Sequence, residues 1–504
     1  MQIPASRDVE NVDVVVVGGG PGGSTSAALI AMQGHRVMLL EKEEFPRYQI
    51  GESLLPSTIH GVCGLTGVAE ELAQAGFTVK RGGTFSWGTS PEPWTFAFSI
   101  SPKIAAEKSY AYQVERKKFD QILLDHARHL GVDVREGCLA TDILGDDERV
   151  RGVSYVNDEG KAVQVRAKYL IDASGNQSRL FKHVGERKYS EFFRNLAIFG
   201  YFTGGKRLPP PNSGNIVCVA FDSGWFWYIP LNETLTSVGA VVRQELAAKV
   251  QGDPEESFRA LISECPMISD YLREARRITE GDYGQLRVRK DYSYHNASYW
   301  RPGMVLIGDA ACFVDPVFSS GVHLATYSAL LAARSINSVL AQLVDEQTAF
   351  QEFEHRYRRE YGVFYEFLTS FYNMHVDEKS YFWSAKKITE NMNSELESFV
   401  DLVGGVSSDD AVLAGADGLA QRLKGRSMEF TSAVHEVIVG KEQTMLPLFK
   451  ASVVQQAMRE GAQIQSIAML GEGAAVGAPL LENGLGTSDD GLFWVLPEDD
   501  GTGS

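Results

Sequence analysis

The segment from Val12 to Lys42 constrains the fold more than any other. Val12, Val14, Val15, Val16 and Val17 form a β-branched run suited to a buried parallel strand, and it leads directly into Gly18-Gly19-Gly20-Pro21-Gly22-Gly23. Gly18, Gly20 and Gly23 stand in the G-x-G-x-x-G spacing. Ser24 to Gly34, with alanines at 27, 28 and 31, reads as a helix whose first amides are free to face an anion. Arg36 to Leu40 reads as a second strand. It ends at Glu41, eighteen positions after Gly23, where an acid can accept hydrogen bonds from the ribose of an adenine dinucleotide. Glycines alone would be an ordinary turn; strand, glycines, helix, strand and acid in that order point to a dinucleotide. The unit does not distinguish FAD from a nicotinamide cofactor.

The chain has 504 residues, enough for about three domains or one large two-layer enzyme. Its 48 Lys and Arg against 65 Asp and Glu give a net charge of −17, which repels a nucleic-acid backbone and argues against nucleic acid as a partner. Cys63, Cys138, Cys218, Cys265 and Cys312 are far apart and form no C-x-x-C pair, so reduced thiols and no metal site are expected. Met1 to Asn11 lacks the apolar core of a signal peptide, and no apolar run reaches the ~18 residues of a spanning helix. A cytoplasmic protein without membrane contact is the expectation.

Glu43 to Ser53, with Phe45-Pro46-Arg47 and Gly51-Glu52-Ser53, is a polar loop able to cover a cofactor. Pro56 to Gly76 suggests helices, in which His60 is a packing residue with no assigned role. Gly76 to Gly88 reads as one strand entering a second sheet; Lys80 lies near its start, where local spacing makes it a solvated charge. Trp94, Phe96 and Phe98 alternate with small residues as a further strand. Tyr112 begins a helix that runs to His129 and stops at Gly131. Short strands follow at Val132 to Val134 and Ala140 to Leu144, then a hairpin of Val150 to Val156 with Ala162 to Val165, then a buried strand at Tyr169 to Asp172 leading to Ala173-Ser174-Gly175.

Leu196 to Thr203, Asn215 to Phe221, Trp225 to Pro230 and Leu235 to Val242 should form an antiparallel sheet. The four aromatics of Trp225-Phe226-Trp227-Tyr228 place rings on both faces of one strand. A third buried strand, Met304 to Ile307, ends in Gly308-Asp309. The loop Asp315-Pro316-Val317-Phe318-Ser319-Ser320-Gly321 then opens a long helix from Val322 to about Leu343. Amides around Ser320, Gly321 and Val322 are free to hold negative charge, on a reduced ring system or a halide. After Asp345 an amphipathic helical region carries Phe353, Tyr357, Phe364, Phe367 and Phe371, and Tyr381-Phe382-Trp383 closes it. Further helices are expected near 427–439 and 444–460, and from Gly484 a frayed acidic tail. Gly471 to Gly477 mimics a nucleotide loop, but its last glycine is one place late and no strand-helix frame surrounds it.

The glycine turn with Glu41, the Asp172-Ala173-Ser174-Gly175 strand and Gly308-Asp309 with its helix together resemble the FAD module of the aromatic-hydroxylase-like flavoproteins. The resemblance implies that Gly18, Gly20, Pro21, Gly22, Gly23 and Ser24 hold the pyrophosphate, Glu41 and Lys42 the adenosine end, Arg116 the flavin, and Asp309, Gly321 and Val322 the rest of the cofactor. Within that superfamily, Trp225-x-Trp227-x-Ile229-Pro230 and Lys80 before Gly82-Gly83-Thr84-Phe85 resemble the flavin-dependent halogenases. With Gly51-Glu52-Ser53 and Phe318-Ser319-Ser320-Gly321 the likeness is to the branch that chlorinates phenolic or pyrrolic rings, often tethered to a carrier protein.

The implied fold is α/β. Residues 1–345 would be a Rossmann-like FAD-binding module with an inserted antiparallel-sheet substrate domain (about 77–111 and 190–289), 346–483 a mainly helical C-terminal region, and 484–504 a flexible acidic tail. The implied enzyme is an FADH2- and O2-dependent halogenase of secondary-metabolite, including antibiotic, biosynthesis. A separate flavin reductase supplies reduced FAD; chloride near Ser320 and Gly321 is oxidised to hypohalous acid; Lys80 captures it as a chloramine or activates it by hydrogen bonding; Trp225 and Trp227 wall flavin from substrate. The tryptophan halogenases pair this lysine with a glutamate, and Asp315 to Val322 offers no equivalent, which favours a phenol activated by its own oxygen. The alternatives are an FAD-dependent aromatic hydroxylase, a prenyl reductase without the tryptophan motif, and a non-catalytic flavoprotein that binds a carrier protein.

Overall fold

The valine run forms the strand Glu10–Val17 in the interior of an eight-stranded sheet. The structure, a computed structural model, describes residues 10–87, 93–101, 103–290, 293–373, 399–408, 410–414 and 484–496. Ala162–Asp172 and Val37–Leu40 flank the valine strand in parallel, with Val14 beside both Tyr169 and Val37. Asp133–Arg135 and Met304–Leu306 extend the parallel set. Helix α1 (Pro21–Ala31) begins three residues before the expected Ser24, because proline fits the first helical position. Ala162–Asp172 is one strand rather than the two short ones expected. Its exposed first half pairs with the hairpin partner Val150–Val156, and its buried second half enters the parallel sheet.

The second sheet contains Asn195–Thr203, Ile216–Phe221, Gly224–Pro230 and Leu235–Arg243, antiparallel as expected. Gly82–Ser86 joins Ile216–Phe221 in parallel, and Trp94–Ala97 pairs with Gly82–Ser86. The expected single strand from Gly76 to Gly88 is in fact broken at Arg81, whose N–H donates to Asn215 Oδ1 (3.0 Å) and whose carbonyl accepts from Phe98 N–H (2.9 Å). Thr78–Lys80 pairs instead with Ala111–Gln113. That pairing corrects a second expectation: Tyr112 is in a strand, and helix α2 spans Arg116–His129. The break turns Lys80 out of the large sheet and into the protein.

Helices α3 (Ser320–Leu340) and α4 (Glu346–Asn373) pack on each other, and α3 also covers α1. A Cβ at Gly22 would stand 3.2 Å from the Ala325 carbonyl oxygen, so the two helices meet closely there. His323, fully buried on α3, bonds Ser57 Oγ through Nδ1 and Glu360 Oε1 on α4 through Nε2, both at 2.9 Å. The expected frayed tail is contradicted over Gly484 to Leu496. Trp494 is buried, its Nε1–H donates to Ser335 Oγ (2.8 Å), and Arg334 donates to the Gly491 carbonyl. Three apolar side chains, Leu485, Leu492 and Trp494, outweigh the Gly/Asp composition there. Tyr381 to Trp383, the expected helices near 427–439 and 444–460, and Gly471 to Gly477 lie outside the described residues. No helix among the described residues is long and apolar enough to cross a membrane.

Candidate active site

The glycine turn separates packing from ligand clearance. Gly18 has φ +107°, and a Cβ there would lie 2.4 Å from the Ala173 carbonyl oxygen; at Gly23 it would lie 1.8 Å from the Gly18 carbonyl oxygen. At Gly20 it would meet only Arg47 Nη2, at 3.5 Å. The first and third glycines therefore permit close strand–helix approach, while the second faces open space at the uncapped start of α1, which has no acid in its first turn. A dinucleotide pyrophosphate fits that cradle. Ser24 Oγ donates to the Gly19 carbonyl (3.0 Å) and braces the turn.

Glu41 is buried and already engaged: Oε2 accepts from Gly19 N–H (2.6 Å) and Oε1 from Glu43 N–H (2.9 Å). Each oxygen keeps a lone pair for a ribose hydroxyl, so the acid can brace the turn and hold the nucleoside together. Lys42 points outward, with Nζ 3.2 Å from Gln177 Oε1. Arg116 donates from Nε and Nη2 to Asp120 and from Nη1 to the carbonyls of Ile50 (2.6 Å) and Gly51 (3.2 Å). Arg47, which the sequence left as part of a covering loop, donates to the same buried Asp120 and leans over Gly20. Asp309 is pushed up to about 6 by burial, against the pull of the Arg116 and Arg187 guanidiniums.

Lys80 is 2% exposed, so the solvated charge suggested by local spacing is corrected. Its Nζ donates to the Leu54 carbonyl (2.9 Å), lies 3.5 Å from Ser319 Oγ and stands over the Phe98 ring at 5.5 Å. Among the described residues it forms no ion pair with a carboxylate. Burial lowers its pKa from 10.5 to about 7, with the Cys218 thiol a smaller opposing influence. The loop Gly51 to Leu54 thus contacts Arg116 at one end and Lys80 at the other, a span of at most about 11 Å.

Ser319 adopts the left-handed conformation (φ 62°) and starts α3. Ser320 Oγ is buried without a hydrogen-bond partner, beside the free first amides of a 21-residue helix. The structure therefore brings the Lys80 amine, Ser319 and the expected halide residues Ser320 and Gly321 to one place; Val322 follows in the first turn, buried.

Trp225 and Trp227 alternate along Gly224–Pro230 and face the core shared with the parallel sheet and α1, while Phe226 and Tyr228 fill a separate core behind the sheet. Trp225 Nε1–H donates to Tyr372 Oη (2.5 Å), and Tyr372 Oη–H to Asp315 Oδ2 (2.9 Å). Asp315 is fully buried; burial raises it to about 7 against the Val317 amide, Tyr372 and Asn195. This chain ties the tryptophan strand to the loop before α3 through α4, and no local pattern announced Tyr372. Trp227 Nε1–H donates to Ser237 Oγ (3.2 Å), and its ring lies over Gly239, where a Cβ would come within 2.2 Å of it. Gly239→Val is expected to displace Trp227, costing about 1–3 kcal/mol in thermal unfolding and at least about tenfold in turnover. Parent-like turnover would remove Trp227 from the site.

A family model described as tryptophan halogenase matches residues 13–106 and 101–439. The tryptophan 2-halogenase of Chondromyces crocatus is 32% identical over 462 residues, covering 90% of this chain and 84% of that protein. The 1H-pyrrole-2-carbonyl peptidyl-carrier-protein chlorinase of Pseudomonas fluorescens is 32% identical over 386 residues, 72% of this chain and 84% of that one. The solved myxobacterial chondrochloren halogenase, a variant of the FAD-dependent halogenases, is 50% identical with a TM-score of 0.75, covering 96% of this chain and 100% of that one.

Proposed function

Because the chain belongs to the flavin-dependent halogenases, enzymes that use FAD and chloride, we propose that it chlorinates a phenolic ring presented on a carrier protein, with reduced FAD supplied by a separate flavin reductase. The observation that carries the phenol is the Lys80 amine, buried beside the halide loop with no carboxylate paired to it among the described residues. A ring activated by its own oxygen needs no second base to make it nucleophilic. The carrier follows from the pyrrolyl relative, which acts on a carrier-bound substrate.

Bound FAD, when reduced, supplies with O2 the oxidising power that turns chloride into hypochlorous acid. The remaining work belongs to side chains. The first amides of α3 and the Ser320 hydroxyl hold the chloride, and Trp225 and Trp227 screen the ring from the oxidant. The Lys80 nitrogen attacks hypochlorous acid, forming N–Cl while the O–Cl bond breaks and water leaves with a nitrogen proton. The ring then takes the chlorine, the N–Cl electron pair returns to nitrogen, and the amine recovers the ring proton.

Capture needs the free base, so the capture step, read with hypochlorous acid supplied directly, should speed up with pH through about 7, the value to which burial brings Lys80. A lysine acting only as a hydrogen-bond donor would give a fall instead. Mass spectrometry of free and carrier-bound phenolic acids, incubated with reduced FAD, O2 and chloride, tests the reading. Chlorine for hydrogen on the carrier-bound ring is the expected product; oxygen insertion, or chlorination of free tryptophan alone, would overturn it.

A further inference from the structure

Glu52 belongs to a buried polar chain that the chemistry above leaves unused. It sits in the loop joining the Arg116 contact to the Lys80 contact and is 2% exposed. Oε1 accepts from Tyr201 Oη–H at 2.8 Å. Tyr201 Oη lies 2.7 Å from Tyr48 Oη, and because Tyr201 donates to Glu52, Tyr48 donates to Tyr201. Tyr48 is only half-buried, under the Arg287 guanidinium at 3.6 Å, and is the outermost member. Oε2 of Glu52 is buried with no hydrogen-bond partner; Ser237, which accepts from Trp227, stands beside the carboxyl and favours its ionised form.

Oxidation of chloride has a proton requirement: FADH2 + O2 + Cl− + H+ gives FAD + HOCl + H2O, so every chloride oxidised takes one proton from solvent. We propose that Tyr48, Tyr201 and Glu52 form the proton wire that delivers it, with Glu52 Oε2 as the delivering atom. The proton on Oε2 passes to the oxygen that leaves as water. The Tyr201 proton moves to Oε1, the Tyr48 proton to Tyr201, and solvent reprotonates Tyr48; rotation of the carboxyl resets the acid. No electrons move along the wire.

The donor order already runs inward, and the oxygen left free is the one that must give up the proton. Burial raises Glu52 to about 7, with Ser237, Tyr201 and Arg116 lowering it and Glu115 raising it; Tyr48 and Tyr283 also face it. The acid therefore exchanges its proton near neutral pH.

The inference rests on the family assignment and not on the substrate class, so hypochlorous acid trapped by a small scavenger amine, without aromatic substrate, reads this step alone. Glu52→Gln should lower trapped product at least about tenfold and abolish the fall in rate above about pH 7, with FAD still bound. In the FAD-free protein, infrared difference spectra should show two buried carboxyls titrating near pH 7, Glu52 and Asp315, of which Glu52→Gln removes one. In Tyr201→Phe the Glu52 carboxyl should titrate higher, since the lost hydrogen bond favoured the ionised form. A parent-like pH profile in Glu52→Gln overturns the wire. Should Glu52→Gln lose FAD, Tyr201→Phe and Tyr48→Phe decide: each should lower the rate most at high pH, and parent-like rates in both overturn it.

Discussion

Replacing Lys80 by methionine is expected to abolish chlorination and to stabilise the protein. The loss of activity should exceed about a thousandfold, because among the described residues no other lysine is buried to offer an amine to the oxidant. The gain in stability follows from desolvation. In the unfolded chain the amine keeps its pKa of 10.5, whereas in the folded protein burial lowers it to about 7. Between those values the unfolded state binds more protons, so stability rises with pH across that window, and below about 7 the full penalty applies. The penalty is about 5 kcal/mol from the shift, offset in the variant by about 1–3 kcal/mol for the Leu54 carbonyl left without its donor. Unfolding at neutral pH should therefore favour the variant, and the difference should shrink toward pH 10. A methionine variant that is inactive and less stable would mean the amine is not desolvated in the native state. One that still chlorinates would remove Lys80 from the reaction.

What the sequence revealed about this site and what it hid divide along a physical line. Gly18, Gly20, Gly23 and Glu41 were legible because the constraint that selects them is local: a strand, a turn and a helix start within one stretch. Trp225 and Trp227 were legible for the same reason, since alternation along a strand fixes which face each ring takes. Lys80 was legible only by likeness. Its burial comes from Leu54, 26 positions away, and Ser319, 239 away, and no spacing rule reports a desolvation made by segments so remote. Tyr372, 147 positions from Trp225, and the Arg47–Asp120–Arg116 cluster were invisible on the same grounds. The C-terminal segment failed differently: glycines and acids dominate its composition, while the energy of docking sits in Trp494 and two leucines.

The paired variants Gly20→Ala and Gly23→Ala should separate cofactor clearance from folding. At Gly23 the new methyl would stand 1.8 Å from the Gly18 carbonyl oxygen, a distance no Cβ tolerates, so α1 must lift from the strand before it. The expected outcome is a misfolded or flavin-free protein, with a cost at or above the about 1–3 kcal/mol of ordinary overpacking. At Gly20 the backbone (φ −70°, ψ −178°) suits alanine, and the methyl meets only Arg47 Nη2 at 3.5 Å. The FAD-free fold should therefore melt as the parent does, while FAD affinity, followed by flavin fluorescence, falls about a hundredfold, or about 3 kcal/mol, as the methyl takes the space of the pyrophosphate. Parent-like FAD binding by Gly20→Ala would move the pyrophosphate off this turn. Glu41, Arg47 and Arg116 would then lose their place around the cofactor, and the loop that links Arg116 to Lys80 would no longer connect flavin to amine.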